Sequence, residues 1–175
     1  ELDQLDPDSI TAGELHDLVT GLHSLGDRLT AATAPLLDRW QHSGVWALDG
    51  SKSAAARYAR ETHSSQKTAH ATLRRAKTLA TMPVTAAAAI SGRLSLDQVD
   101  LLARANTPRR RDLFGEHEQA LVDEIAPLRH REVTRVARYW AQRADAALGI
   151  DDTTAAEQHD ATGLHLSPTL DDMVD

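Results

Sequence analysis

A stripe of leucines in the first quarter of the chain restricts its fold more than any other feature. Its members recur at alternating intervals of three and four, which is a heptad pattern and places them on one face of an α-helix. Just before the stripe, Thr11 and Glu14 have the spacing of a capping box, a signal for a helix start. We therefore expect a long helix that buries this face against another helix, either of the same chain or of a partner chain. The stripe over 15–36 comprises Leu15, Leu18, Leu22, Leu25, Leu29, Ala32 and Leu36.

The composition favours helices along the whole chain. Alanine, the strongest helix former, supplies 29 of the 175 residues, whereas aromatic residues make up only 3%. Pro35 is expected to kink or end the first helix, because its ring clashes with the preceding turn. The predicted fold class is all-α: the long heptad helix, two tandem helix-turn-helix-like units, two C-terminal helices and the start of a small β-hairpin.

Three segments follow from these patterns. Residues 1–10 read as an acidic lead-in, residues 11–148 as the helical domain, and residues 149–175 as an acidic linker with the first strand of a hairpin. Half a hairpin is not a stable end for a domain. We therefore expect the chain to be a fragment of a longer protein.

Several classes of protein are excluded by what the sequence lacks. It has no cysteine, which rules out a disulfide scaffold, a thiolate zinc site and cysteine catalysis. No apolar run approaches the roughly 20 residues needed to span a bilayer, and no signal-peptide pattern opens the chain. We expect a cytoplasmic protein with no membrane partner.

Charge is distributed unevenly along the chain. The net charge is −7, yet residues 52–111 hold twelve Lys and Arg against three acidic residues, a local charge of +9. A localised basic region is the electrostatic footprint of a polyanion site. Solvated helix faces would account for the same arginines, so charge alone leaves both interpretations open.

Within this basic region, residues 54–75 have the spacing of a helix-turn-helix. Ala59 is the small residue where two helices touch, His63 lies in the turn, and Ser65 caps the second helix. Residues 84–104 repeat the layout more loosely. The spacing is not specific by itself, because any pair of antiparallel helices shows a similar pattern.

The second helix of the first unit carries residue types that suit DNA. Glutamine and lysine near the start of a recognition helix have the donor patterns for adenine and guanine, and the arginines that follow suit phosphates. Gln98 is expected to be exposed on the second unit. The candidate DNA contacts are Lys52, Arg57, Arg60, Ser65, Gln66, Lys67, His70, Arg74, Arg75, Lys77, Arg93 and Gln98.

Three segments, in order along the chain, resemble the 13E12-repeat family, also called the domain-of-unknown-function-222 (DUF222) family. The first runs from Trp40 through Trp46-Ala-Leu-Asp-Gly-Ser-Lys-Ser-Ala-Ala-Ala, and the second is Leu79-Ala-Thr-Met-Pro followed by Ala-Ala-Ile-Ser-Gly-Arg-Leu-Ser-Leu-Asp-Gln98. The third is Leu164-His-Leu-Ser-Pro-Thr-Leu-Asp. Two positions depart from the family pattern, since His63 and Asp172 stand where glycine is usual. Histidine tolerates the left-handed backbone region better than most residues, so we expect the turn at His63 to survive with strain.

This resemblance implies an actinobacterial protein, often from a repeated or mobile locus, with an HNH endonuclease region following the helical one. The helical region of the family has no settled activity, and its attachment to a nuclease implies a role in DNA targeting. A divalent metal is expected only in the missing HNH region. We expect no cofactor and no catalytic or metal-binding residue in this chain, because its nine histidines are scattered without an adjacent pair.

The predicted function is therefore a DNA-binding or DNA-targeting helical module that binds double-stranded DNA through its basic helix-turn-helix region. The alternative is a dimerisation or protein-interaction module that uses the leucine stripe, forms a homodimer through residues 15–36 and makes no DNA contact. A second alternative places an enzyme activity in the full-length protein, to which this chain would contribute substrate contacts.

Overall fold

The computed structural model describes residues 6–149, which fold as α-helices with no strand among them. The all-α class is thus confirmed, whereas the expected C-terminal hairpin lies outside the described residues. Two short 3₁₀ turns, Pro7–Ser9 and Val45–Ala47, accompany the helices. The helices are α1 (Ala12–Ser43), α2 (Ala54–Glu61), α3 (Gln66–Leu79), α4 (Pro83–Ile90), α5 (Leu96–Ala105), α6 (Arg111–Ile125) and α7 (His130–Ala147).

The helix α1 begins at the predicted capping box. Thr11 Oγ1 accepts a hydrogen bond from the Glu14 backbone N–H, and the Glu14 carboxylate accepts one from the Thr11 N–H at 3.1 Å. The helix does not end at Pro35 but continues to Ser43, before Gly44 in the left-handed conformation. Pro35 lies on the exposed side of α1, where its missing N–H removes one helical hydrogen bond while packing on the opposite side holds the helix together.

The packed face of α1 is not its leucine stripe. Ala31 and Ala34 are buried where α1 meets α3 and α4, with Leu37 beside them. Small side chains let the neighbouring helices approach closely. The leucines lie on the opposite side of α1, where Leu29 is 64% exposed and Leu36 is 70% exposed. The sequence predicted that the stripe packs against a helix of the same chain or of a partner chain. Packing within the same chain does not occur among residues 6–149.

The main core lies where α4, α5, α6 and α7 converge beneath α1 and α3. Its largest side chains are fully buried: Met82, Leu94, Leu102, Phe114 and Ile125. A smaller cluster joins α2 to α3 through Ala59, Ala69 and Leu73, covered by Trp46 and Tyr58. This second cluster sets the position of α3 relative to α2.

Two tight turns join the helices of the predicted units. His63 has φ +52° between α2 and α3, which confirms that this histidine adopts the left-handed region. Gly92 has φ +80° between α4 and α5, and a Cβ there would lie 3.1 Å from Cδ of Arg28. Because both the backbone angle and the close side chain disfavour a larger residue, the second turn requires glycine.

Candidate nucleic-acid interface

One face of α3 collects exposed cations and holds no acid. Ser65 caps the helix by accepting from the Thr68 N–H at 3.0 Å, as predicted. Ala69 and Leu73 are buried, which turns the opposite side of α3 to solvent. We call this opposite side the basic face of α3; its exposed residues are Gln66, Lys67, His70, Arg74 and Lys77.

Lys67, Arg74 and Lys77 are spaced at seven and three residues, with the His70 imidazole between the first two, so these side chains form one row along α3. The whole helix contains no Asp or Glu. Among the described residues, Lys67, Arg74 and Lys77 form no ion pair. Their charges are therefore available to an anionic ligand.

The arginines of α2 are held by acidic neighbours instead. Arg57 and Arg60 both contact the carboxylate of Asp49, and Arg57 Nε also lies 3.0 Å from Glu61. Hydrogen bonds from Ser51 and then from Arg60 lower the pKa of Asp49 below its usual range. This cluster is an internal network in which positive and negative charges are closely matched.

Arg75 is turned away from the basic face. Its Nε and Nη2 donate to the two carboxylate oxygens of Asp100 on α5, at 2.9 and 2.6 Å. The bonds to Asp100 raise the pKa of the arginine. Such a paired fork of hydrogen bonds fixes the guanidinium plane, so Arg75 ties α3 to α5.

A groove of about 520 Å³ separates α3 from α5 at this ion pair. Arg74 and Arg104 line it together with Arg75 and Asp100. Three guanidinium groups thus line the groove beside one carboxylate, and Asp27 and Asp97 also lie close enough to raise the pKa of Arg75. The groove extends the positive surface from the basic face of α3 toward α5.

A family model described as "Domain of unknown function (DUF222)" matches residues 17–174. The chain belongs to the DUF222 family. The resemblance drawn from the three sequence segments is thereby confirmed. No curated protein and no solved structure matches the chain.

In this DUF222 chain, the predicted exposure of Gln98 is wrong. Gln98 is buried, and its Nε2 donates to the carbonyls of Ile125 and Leu128, each at 3.2 Å. Its Oε1 accepts from the Ser95 N–H at the start of α5. The side chain therefore joins α5 to the end of α6, and none of its polar atoms is free to meet a base.

The second unit also carries less free charge than predicted. Arg93 donates to Asp123 of α6 at 2.6 Å. This bond, with one from Gln119, lowers the pKa of Asp123. Lys52 is exposed just before the start of α2 and is not part of α3. The structure thus brings five of the twelve predicted contacts together on one surface of the DUF222 domain, with Ser65 at its edge as a helix cap.

A second basic row was missed by the sequence analysis. Arg131, Arg135 and Arg138 are exposed on α7, at helical intervals of four and three. They lie outside the 52–111 segment over which charge was counted. Counting charge by helix face rather than along a continuous segment would have revealed them.

Residues 6–149 of the DUF222 chain contain neither a cluster of metal ligands nor a membrane-spanning helix. No three His, Asp or Glu side chains there come together as a metal ion would require. None of the helices described is both long and apolar enough to cross a membrane.

Proposed function

We propose that this DUF222 chain is a DNA-binding module that docks the basic face of α3 on duplex DNA. The observation that carries the proposal is the difference between α3 and its neighbours. The cations of α2 and of the α4–α5 turn are paired with carboxylates, whereas Lys67, Arg74 and Lys77 form an acid-free row. The phosphates of the DNA backbone supply the negative charge with which such a row of cations can pair.

The order of side chains on α3 supports entry of its N-terminal end into the major groove. Gln66 and Lys67 lie in the first turn, where a recognition helix presents side chains to base edges. Arg74 and Lys77 lie two to three turns later, at a distance suited to the flanking phosphates. The neighbouring groove adds Arg104 on the same side.

This contact would serve to bring an HNH nuclease region of the full-length protein to its substrate. This role in targeting the nuclease rests on membership of the DUF222 family, because the family resemblance implies an HNH endonuclease region after the helical one. If this is correct, the full-length protein should cleave DNA, whereas this chain should bind DNA without cleaving it.

Fluorescence anisotropy of the chain on a labelled generic duplex, at low and moderate salt, tests the proposal. Replacing Lys67, Arg74 and Lys77 together by alanine should weaken binding and flatten the salt dependence. Each lost phosphate contact removes about 0.9 from the slope of log K against log salt, so the triple variant should lose a slope of roughly 2 to 3.

The matched control removes the same charge elsewhere: Arg131, Arg135 and Arg138 of α7 become alanine. It should leave both affinity and slope close to those of the parent chain. If the control weakens binding and the α3 variant does not, the interface lies on α7 and the placement is wrong. If the parent chain does not bind at low salt, DNA binding itself is refuted and the protein-interaction alternative stands.

A further inference from the structure

The N-terminal half of α1 extends from the helical body as an arm, residues 12–26. Every residue of the arm is exposed except Leu18, which is half-buried. Leu25 is 55% exposed and Val19 58%, and the first buried side chains of α1 are Ala31 and Ala34. The arm therefore presents an apolar stripe that residues 6–149 leave largely open to solvent.

The arm is a poor helix by itself. Gly13, Gly21 and Gly26 lie within it, and a Cβ built at any of them would meet no neighbour. Glycine weakens a helix that packing does not support, and short isolated helices are marginal in water. Both the glycines and the exposed leucines indicate a surface that is completed by another helix.

We propose that the arm pairs with the same arm of a second copy of this chain, as an antiparallel two-helix coiled coil. In heptad terms, Leu15, Leu22 and Leu29 occupy a positions and Leu18 and Leu25 occupy d positions. Antiparallel packing sets a against d, so Leu15 of one copy meets Leu25 of the other, and Leu18 meets Leu22. The stripe is complementary to itself in this register.

Charge on the flank of the stripe selects this orientation. Glu14 and Arg28 both occupy g positions, seven residues on either side of Gly21. The antiparallel register that pairs Leu15 with Leu25 brings Glu14 of each copy beside Arg28 of the other. A parallel pair would instead place Glu14 against Val19, where its charge has no partner.

Both charged groups are able to make this contact. Arg28 uses Nε to donate to the Ile90 carbonyl at 3.0 Å, and its terminal nitrogens have no hydrogen-bond or ion-pair partner among the described residues. Glu14 accepts both bonds from Thr11 at Oε2, which lowers the pKa of the carboxyl and leaves Oε1 available to the second copy. On the other flank the same register sets Val19 against Val19 of the second copy.

The extent of the contact reaches the minimum expected of a biological interface. Residues 11–29 of the two copies would overlap over about 27 Å, at 1.5 Å per residue. Covering roughly a third of each arm buries on the order of 500 Å² per copy. The total of about 1,000 Å² reaches the lower bound for specific interfaces.

Light scattering on the full chain tests the pairing. The parent chain should show twice the mass of one chain at micromolar concentration. Leu22→Ser should return it to one chain and lower its helical circular dichroism as the arm frays. Leu48→Ser, at a leucine that is 84% exposed outside the arm, is the matched control and should remain dimeric. A monomeric parent chain, or a dimeric Leu22→Ser variant, overturns the proposal.

Single cysteines test the orientation, since the chain has none of its own. With a short bismaleimide, Val19→Cys should cross-link to its own copy, and Leu29→Cys should not, because the two copies of residue 29 lie about 27 Å apart along the axis. Cross-linking of Leu29→Cys without Val19→Cys would show a parallel pair and overturn the antiparallel assignment.

Discussion

Arg75 of α3 and Asp100 of α5 are joined by two hydrogen bonds, at 2.9 and 2.6 Å, across the groove beside the basic face of α3. The pair is partly exposed, with 27% of the Arg75 side chain and 37% of the Asp100 side chain open to solvent. Because of this ion pair, the adjacent residues Arg74 and Arg75 have different roles. Arg74 faces outward, and Arg75 connects two helices.

Replacing Asp100 by asparagine should tighten DNA binding. The change removes the one carboxylate of the groove and releases the Arg75 guanidinium, which adds up to one phosphate contact and steepens the salt slope by about 0.9. Fluorescence anisotropy at two salt concentrations measures both effects. Asp145→Asn is the control, since it frees Arg110 from an equivalent pair away from α3. Weaker binding by Asp100→Asn would contradict the assignment of this groove to DNA.

Replacing Gln98 by alanine should destabilise the fold without a specific effect on DNA affinity. The truncation leaves the Leu128 carbonyl without its side-chain donor, whereas the Ile125 carbonyl keeps its bond from the Leu128 N–H. Losing the donor of a buried polar group costs about 1–3 kcal/mol. Urea unfolding measures the loss. Gln142→Ala, at an exposed position of α7, should change the free energy of unfolding by less than about 0.5 kcal/mol. A stable Gln98→Ala variant that loses DNA affinity would restore Gln98 as a contact.

Replacing Glu118 by alanine should be among the most damaging single changes in the described domain. Glu118 is 3% exposed, and its carboxylate accepts from the Thr85 N–H at 2.7 Å, in the first turn of α4. Loss of a hydrogen bond to a charged group, at a helix start that favours negative charge, costs about 2–3 kcal/mol. Glu118→Gln keeps an acceptor oxygen and should recover part of that loss in urea unfolding. Equal losses for both variants would show that this hydrogen bond is not the source of the stability.

The pKa of Asp123 should rise toward its ordinary value when Arg93 is replaced by alanine. The hydrogen bond from Arg93 is the largest cause of the lowered pKa, and the bond from Gln119 is the next. A carboxyl whose pKa is lower in the folded state stabilises the fold at neutral pH, and that contribution disappears as pH falls through the folded-state pKa. Carboxyl-carbon NMR titration measures the shift. Gln119→Ala should raise the pKa by less; a pKa unchanged in Arg93→Ala would contradict the ion pair.

Local sequence signals predicted the helices because each acts on its own stretch of backbone. Ser65 and Ser95 cap α3 and α5 through bonds to the third residue of the helix, and Pro83 opens α4. Such bonds need nothing from the rest of the chain. Thus the starts of α1 and α3 followed from the sequence, whereas α1 continues past Pro35 because packing on the other side of the helix overrode a local preference.

The candidate site was only partly predictable. The sequence identified a basic segment and placed Lys67, Arg74 and Lys77 in it. It did not show that Arg75 faces Asp100, 25 residues away, or that Arg93 faces Asp123 on α6. Ion pairs between helices depend on how those helices pack, and no spacing within one helix encodes them.

The sequence by itself determined which segments are helical and where cations are concentrated, because capping, propensity and charge are properties of neighbouring residues. The tertiary structure decided which helix faces are free. Ala31 and Ala34 form the buried side of α1, because small side chains allow neighbouring helices to pack closely. The leucine stripe is therefore exposed on the opposite side. Gln98 lies inward, where its amide donates to the carbonyls of Ile125 and Leu128 beyond the end of α5. Which side chains remain available for a partner is a property of the packed helices and is not encoded in any single segment.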